Sequence, residues 1–412
     1  MVNTRNVSAA LRLGGGVVET KHKKYKCPVW IGELWTARQR QMHPVHYTVS
    51  YRASFKPELP EFFIRQYLGE KRNAVVFDPF GGRGTTVLQA NLMGHRGIHN
   101  DLNPLAHFIA AARRVIPTPA ALIERLEKLD LDAGPEPDGE DRERLGPFFH
   151  ARTLREINAL RHCLMPVAFD LNGDPELRYI GLTALSRLHG HSDGFLSAYS
   201  FPQISILPEA QRRNNRNRGQ KPEYRALKPR IIRKLRADLA EGLPSHYHRM
   251  AARNRYTISD ACELGSLRGG TVDLIVTSPP FLDKVNYVQD NWMRAWFLGV
   301  EQQVAGSGLM MDSDPGRWVN FMTRALTAMG RVLRKGGRAV IEVGEVSSRG
   351  NPALLLEELM LEQLPLVCPG GRLEAEALFI NTQRFTKLAN CWDVTNNSRG
   401  TNTNRCLVLR KR

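Results

Sequence analysis

Residues 277–281, TSPPF, follow TVDLIV, whose Val and Ile content reads as a buried parallel strand. Proline has no backbone N–H to donate, so two in succession make a stiff turn whose carbonyls are not drawn into a helix. The Ser278 hydroxyl and the Pro279 carbonyl can then face one cavity and accept hydrogen bonds from an amino group held flat. Pro280 stiffens the ledge, and Phe281 offers a ring face for stacking. The set suits an extruded nucleobase bearing an exocyclic amine; two prolines alone would signify only a structural turn.

A second constellation, DPFGGRGTT at 78–86, lies between an expected strand and an expected helix. Glycines there let backbone approach a ligand, and free N–H groups at the helix start favour a negative group. Neither GxGxxG nor GxxxxGK[ST] is present, so a phosphate is less favoured than a ligand carrying a carboxylate and an amine. Asp101 ends the next strand, where a carboxylate can bond both ribose hydroxyls; its competing role is capping the helix that follows. Asp260 stands likewise after a third strand and can accept from an adenine amino group, or be simply a loop acid.

The elements that position these groups alternate. NAVVFDPF leads to a helix over TTVLQANLMG, GIHND to a helix over PLAHFIAAARR, and RYTISDACEL, TVDLIVTSPPF and LRKGGRAVIEVG supply further strands. LEAEALFIN and RCLVLRKR read as closing strands, and residues 55–68 as a helix entered through proline. This is the pattern of an α/β, Rossmann-like parallel sheet covered on both faces. Residues 1–54 are basic and read as an irregular arm, partly ordered by Trp30 and Trp35. Residues 55–114 and 253–412 form the catalytic part, with 115–252, largely helical, inserted between the second and third strands.

The 412 residues carry a net charge of +17. Residues 211–256 hold 14 Lys and Arg against 3 Asp and Glu, so most of that surplus sits in one short stretch. A solvated face would mix the signs, and the clustering points to an acidic polymer. Arg212, Arg213, Arg216, Arg218, Lys221, Arg230, Arg233 and Lys234 are the candidates for DNA contact; Asn214 and Asn215 are chemically able to read bases, and each of the group could equally hold a phosphate. No apolar run long enough to span a membrane and no signal peptide is evident, and the expected compartment is the cytoplasm. The six cysteines form no CxxC, and HGHSDG (189–194) and HYH (246–248) lack a partner cluster, so no metal site is expected. Trp292 and Trp296, four apart, read as helix packing.

DPFGGRGTT together with TSPPF resembles the amino-methylating DNA methyltransferases, whose first motif is typically D-P-F-x-G-x-G-T and whose catalytic motif is [DNS]-P-P-[YFW]. The resemblance implies S-adenosyl-L-methionine as cofactor, held by Asp78, Pro79, Phe80, Gly81, Gly82, Gly84, Thr85 and Thr86. It also implies that FKPELP (55–60), through Phe55 and Pro57, helps hold the methionine end. By the same resemblance Asp101 is the ribose acid, Asp260 and Ala261 lie on the adenine side, Thr277 adjoins the cofactor, and Ser278, Pro279, Pro280 and Phe281 are the catalytic tetrad. Serine at the head of the tetrad is typical of cytosine-N4 enzymes; aspartate or asparagine is more typical of adenine-N6 enzymes. Phe281 departs from the usual tyrosine but keeps a stacking face. The expected function is methylation of cytosine N4 in double-stranded DNA, as the modification half of a restriction system with a cognate endonuclease. Adenine N6 methylation, RNA base methylation and a non-enzymatic DNA-binding role on the same fold are the alternatives. Carbon-5 methylation is disfavoured, because its family uses Pro-Cys and this chain has none.

Overall fold

The computed structural model describes residues 18–22, 27–35, 41–201, 204–280, 286–311, 314–343, 345–346, 354–366, 373–382 and 403–412. Its centre is a nine-stranded sheet. Strands β3 (Val75–Asp78), β4 (Arg96–Asn100), β5 (Arg255–Thr257), β6 (Val272–Thr277) and β7 (Leu333–Val343) run parallel in the spatial order β7-β6-β3-β4-β5. Every residue of β3 and β6 is buried, as expected of strands covered on both faces. The chain steps outward from β3 to β4 and β5, then returns to the other side of β3 with β6. The switch point, where α/β sheets open a crevice at their carboxyl edge, therefore lies between β3 and β6.

Strands β8 (Glu345–Val346) and β9 (Leu354–Leu355) form a small separate ladder, and β10 (Leu373–Thr382) and β11 (Thr403–Lys411) close the main sheet, with β11 antiparallel to both β7 and β10. Within the stretch expected to be irregular, β1 (Val18–Lys21) and β2 (Pro28–Gly32) instead pair as antiparallel strands. PVWIG alternates its buried side chains, and β2 pairs in parallel with β10, so this basic segment extends the sheet. Asn381 anchors its exit by accepting from Leu34 N at 2.7 Å and donating to Trp35 O at 3.1 Å.

Helix α1 (Glu58–Leu68) covers one face of the sheet together with Trp35, through Leu59, Phe63 and Ile64. On the same side, α2 (Thr85–Leu92) follows the glycine loop and α3 (Pro104–Ala111) follows β4. The segment between α3 and β5 is helical: α4 (Pro119–Glu127), α5 (Gly139–Leu145), α6 (Ala151–Leu164), α7 (Pro175–Leu185), α8 (Pro208–Arg218), α9 (Leu227–Asp238) and α10 (Tyr247–Ala251). It does not have a core of its own. Its leucines join one cluster with Leu105, Phe108 and Ile109 of α3, and with Trp292, Trp296 and Phe297 of α12 (Trp292–Leu298), which follows α11 (Tyr287–Asp290). The expected packing role of the two tryptophans is thus met. After α13 (Glu301–Ala305), helix α14 (Pro315–Val332) lays Trp318, Met322, Leu326 and Met329 on the opposite sheet face, beside α15 (Leu356–Gln363). Its apolar residues at three- and four-residue spacing form one stripe, and Asp314 caps its start.

Candidate active site at the carboxyl edge of the sheet

A cavity of about 260 Å³ opens at the switch point. The glycine loop after β3, Asp101 after β4, residues 259–261 after β5 and Ser278 and Pro280 after β6 all line it. Four strand ends distant in sequence thus converge on one space.

The glycine loop is pinned by its neighbours. The Gly82 N–H donates to Asp101 Oδ2 at 2.8 Å, and the other carboxylate oxygen accepts from Asn103 N at 2.8 Å. Gly82 sits at φ +46, where an L side chain is strained, and a Cβ would meet nothing closer than 4.0 Å, so the backbone is exposed to the cavity. Gly84 serves packing instead: it does not line the cavity, and a Cβ there would lie 2.8 Å from the Ala110 side chain of α3. The cap of α3 is Asn103, whose side chain accepts from Leu105 N at 2.9 Å; Asp101 is thereby left to face the cavity. Burial pushes the Asp101 carboxyl up to about 6, against the backbone bonds from Asn103, Gly82 and Leu102 that favour its charged form.

Asp78 is buried and is not among the lining residues. It accepts from Thr277 Oγ1 at 2.6 Å and Phe80 N at 3.2 Å, coupling the glycine loop to the strand that carries TSPPF. Burial pushes its carboxyl up to about 7, and its Oδ2 is buried without a partner. Thr86 is likewise structural here, donating to Val276 O at 3.0 Å. Pro79, Phe80, Gly81 and Thr85 line the cavity, as do Phe55, Asp260 and Ala261; Pro57 does not. Asp260 accepts from Cys262 N at 2.8 Å and lies 3.6 Å from the Arg324 guanidinium.

The Ser278 hydroxyl donates to Glu342 Oε2 at 2.6 Å, and the Pro280 carbonyl accepts from the Trp318 indole at 2.8 Å. Pro279 is buried and is not among the lining residues, and Phe281 lies outside the described residues. Two phenols that sequence reasoning passed over, Tyr287 and Tyr51, also line the cavity.

Three further groups build the site from afar. Asn100, fully buried, donates to Pro79 O and Ser259 O and accepts from Thr257 and Ser259 hydroxyls, tying the ends of β3, β4 and β5. Arg83 reaches back from the glycine loop to the carbonyls of His46, Val49 and Phe55, and so holds residues 51–55 as a wall. Arg52 forms an ion pair with Asp290 at 2.7 Å, joining that wall to α11. A polar residue next to a glycine turn was the one sequence signal for Arg83; the others depend on contacts between distant segments.

The basic residues of the insert do not act alike. Arg213, Arg216, Arg218, Lys221 and Arg233 are exposed. Arg218 lies over the Tyr199 ring at 3.7 Å, Arg212 donates to Glu143 O, and Arg230 donates to Asp193 O and Ala226 O. Lys234 is paired with Asp238 and donates to Tyr47 O at 2.9 Å, in a half-buried position that ties α9 to the turn at residues 44–47. Asn214 and Asn215, considered as base readers, donate to the Tyr199 and Pro147 carbonyls. In HGHSDG, His189 is buried and bonded to Ser205 and Phe201; His246 of HYH bonds to Leu92 O.

Residues 11–111 match the model of the DNA methylase family N6_N4_Mtase. Over that quarter of its length the chain is similar to the amino-methylating DNA methylases. It is 31% identical over 100 residues to the Type II methyltransferase M.MjaII of Methanocaldococcus jannaschii, a match covering 24% of this chain and 18% of that one. It is 18% identical over 286 residues to the Type II methyltransferase M.BsoBI of Geobacillus stearothermophilus, covering 63% and 53%. The chain therefore spans about half, or less, of the length of the curated relatives it matches. Among solved structures it is similar to a putative DNA modification methylase from Thermus thermophilus complexed with S-adenosyl-L-methionine, at 21% identity and a TM-score of 0.23 over 37% of this chain and 53% of that one. TrmN from Thermus thermophilus gives 13% identity and 0.36 over 92% and 55%, and the rRNA methyltransferase aviRa from Streptomyces viridochromogenes 12% and 0.28 over 92% and 90%. No described helix is long and apolar enough to cross a membrane.

Proposed function

We propose that this protein transfers a methyl group from S-adenosyl-L-methionine to the N4 amino group of a cytosine flipped out of double-stranded DNA, in the cytoplasm, as the modification enzyme of a restriction system. The observation that carries the reading is the shared cavity: the Gly82–Asp101 corner and Ser278 line one space.

The cavity's donor set fits the cofactor. Asp101 is the acceptor for ribose hydroxyls, Ser259 to Ala261 with Phe80 and Phe321 form the adenine side, and the exposed backbone of the glycine loop with Phe55 receives the methionine portion. Bound there, the cofactor supplies an electrophilic sulfonium methyl. The amino nitrogen of cytosine is a poor nucleophile, because its lone pair is delocalised into the ring. Of the two acceptors expected from the sequence, Ser278 lines the cavity; its hydroxyl oxygen accepts an amino hydrogen and localises the lone pair as the nitrogen becomes tetrahedral. Direct transfer needs the reacting atoms aligned at about 3–3.5 Å. The proton leaves late, from a strongly acidic methylated nitrogen, so no strong base is needed. The exposed arginines of α8 and α9 supply salt-dependent phosphate affinity.

Nucleosides released from the DNA of cells expressing the protein test this. N4-methylcytosine in one sequence context is the expected result. N6-methyladenine would keep the enzyme class and replace the target; methyl transfer to RNA and not to duplex DNA would overturn the substrate.

A further inference from the structure

Glu342, the penultimate residue of β7, lies directly beneath the serine of the tetrad. It is only 9% exposed, and two donors converge on it: the Ser278 hydroxyl at Oε2, 2.6 Å, and the Asn404 amide at Oε1, 3.1 Å. The titratable side chain facing it from the neighbouring strand is the Cys406 thiol, itself buried and held well above its ordinary range by burial. Burial raises the Glu342 carboxyl, opposed by the two hydrogen bonds. Among the described residues, no lysine or arginine contributes to its shift. A carboxylate kept inside a sheet with no cation beside it is costly unless the bonds it accepts are needed.

A serine hydroxyl has one proton and two lone pairs. Left to rotate, it presents either to a ligand. Bonded to Glu342, its proton points into the protein and only lone pairs face the cavity. Resting on the amino-methylation proposed above, we infer that Glu342 is a positioning residue that fixes Ser278 as an acceptor. The site is thereby selective for a base with –NH₂ at the reacting position over one with a carbonyl there. The same carboxylate places a negative charge one hydrogen bond behind the nitrogen as it turns cationic, which stabilises the transition state more than the ground state. Protonated, Glu342 can itself donate to Ser278 and release the hydroxyl proton toward the amine. Activity at saturation is therefore lost as pH falls through the raised Glu342 range.

The test is transfer of tritiated methyl from S-adenosyl-L-methionine to a randomised-sequence duplex pool. Wild-type protein that transfers nothing to the pool would sink the amino-methylation reading itself. Given wild-type transfer, Glu342→Gln, close in shape, is expected to lower kcat roughly 100-fold, with both KM values within about threefold, and to abolish the acid limb of the kcat profile. A kcat within about threefold of wild type, or a retained acid limb, overturns the inference. Asn404→Leu removes one donor and leaves Ser278 in place. Less support for the charged form raises the Glu342 pKa, so the limb should move to higher pH; an unmoved limb also overturns the inference, even if the Glu342 variant fails to fold.

Discussion

The carboxyl edge of the sheet and the basic helices of the insert use charge in opposite ways. At the edge, Asp78, Asp101 and Glu342 are few, enclosed and each held by directed bonds from named neighbours. On α8 and α9 the charges are many, and Arg213, Arg216, Arg218 and Arg233 stand in solvent. A directed bond in a low-dielectric site is strong and intolerant of change, whereas an exposed cation contributes little individually and acts through a summed field. Substitutions in the first region should therefore be steep and specific, and in the second shallow and cumulative.

The steepest break is expected from Ser278→Ala combined with Pro279→Ala. Methyl transfer should fall by at least about 100–1000-fold while gel-shift retention of DNA is unchanged. Transfer near the wild-type rate would remove the catalytic role from the strand-end ledge. Next, replacing Arg213, Arg216 and Arg218 together with alanine should weaken DNA binding and flatten the slope of log affinity against log salt by about one per residue lost from phosphate. Turnover at saturating DNA should hold. A lost kcat with an unchanged slope would show that these arginines act locally after all.

A smaller effect is expected from Asp101→Asn, which should weaken S-adenosyl-L-methionine binding roughly tenfold, as for the loss of a charge-assisted hydrogen bond. The charged carboxylate is the form that accepts from ribose hydroxyls. Its folded value is raised to about 6, so wild-type cofactor affinity should decline as pH drops through that value, and the asparagine variant should not show the decline. Calorimetry across pH 5–8 reads both. The smallest effect on DNA affinity, within about twofold, is expected from Lys234→Met, although Lys234 lies in the same basic stretch. Leaving Asp238 buried without this partner should instead lower thermal stability, by about 3 kcal/mol. A large loss of DNA affinity with unchanged melting would return Lys234 to the surface group.

These two regions were also unequally legible in the amino-acid order. A glycine loop and a proline ledge are made by consecutive residues, so DPFGGRGTT and TSPPF announce both their geometry and their place after strands. The acids at 101 and 260 follow from strand-end position. Asn100, Arg83 and Glu342 act through segments that meet only in the folded sheet, and local sequence marks them weakly or not at all. The Glu342 signal was an acid at the end of a buried strand, the same signal that picked out Asp101. In the insert, composition revealed the charge but not its allocation: Asn214, Asn215 and Lys234 look equivalent to their exposed neighbours until the bonds to Tyr199, Pro147 and Asp238 are seen. The strands β1 and β2 were hidden because the partner strand of β2, β10, lies more than three hundred residues downstream.

The leucines of the insert share one apolar cluster with α3 and α12. If the insert serves recognition as proposed, it cannot be exchanged like a cassette, since excising it would strip the support from the helices it packs on. New target preferences would have to arise by repainting its outer surface, residue by residue, over an interior that stays fixed.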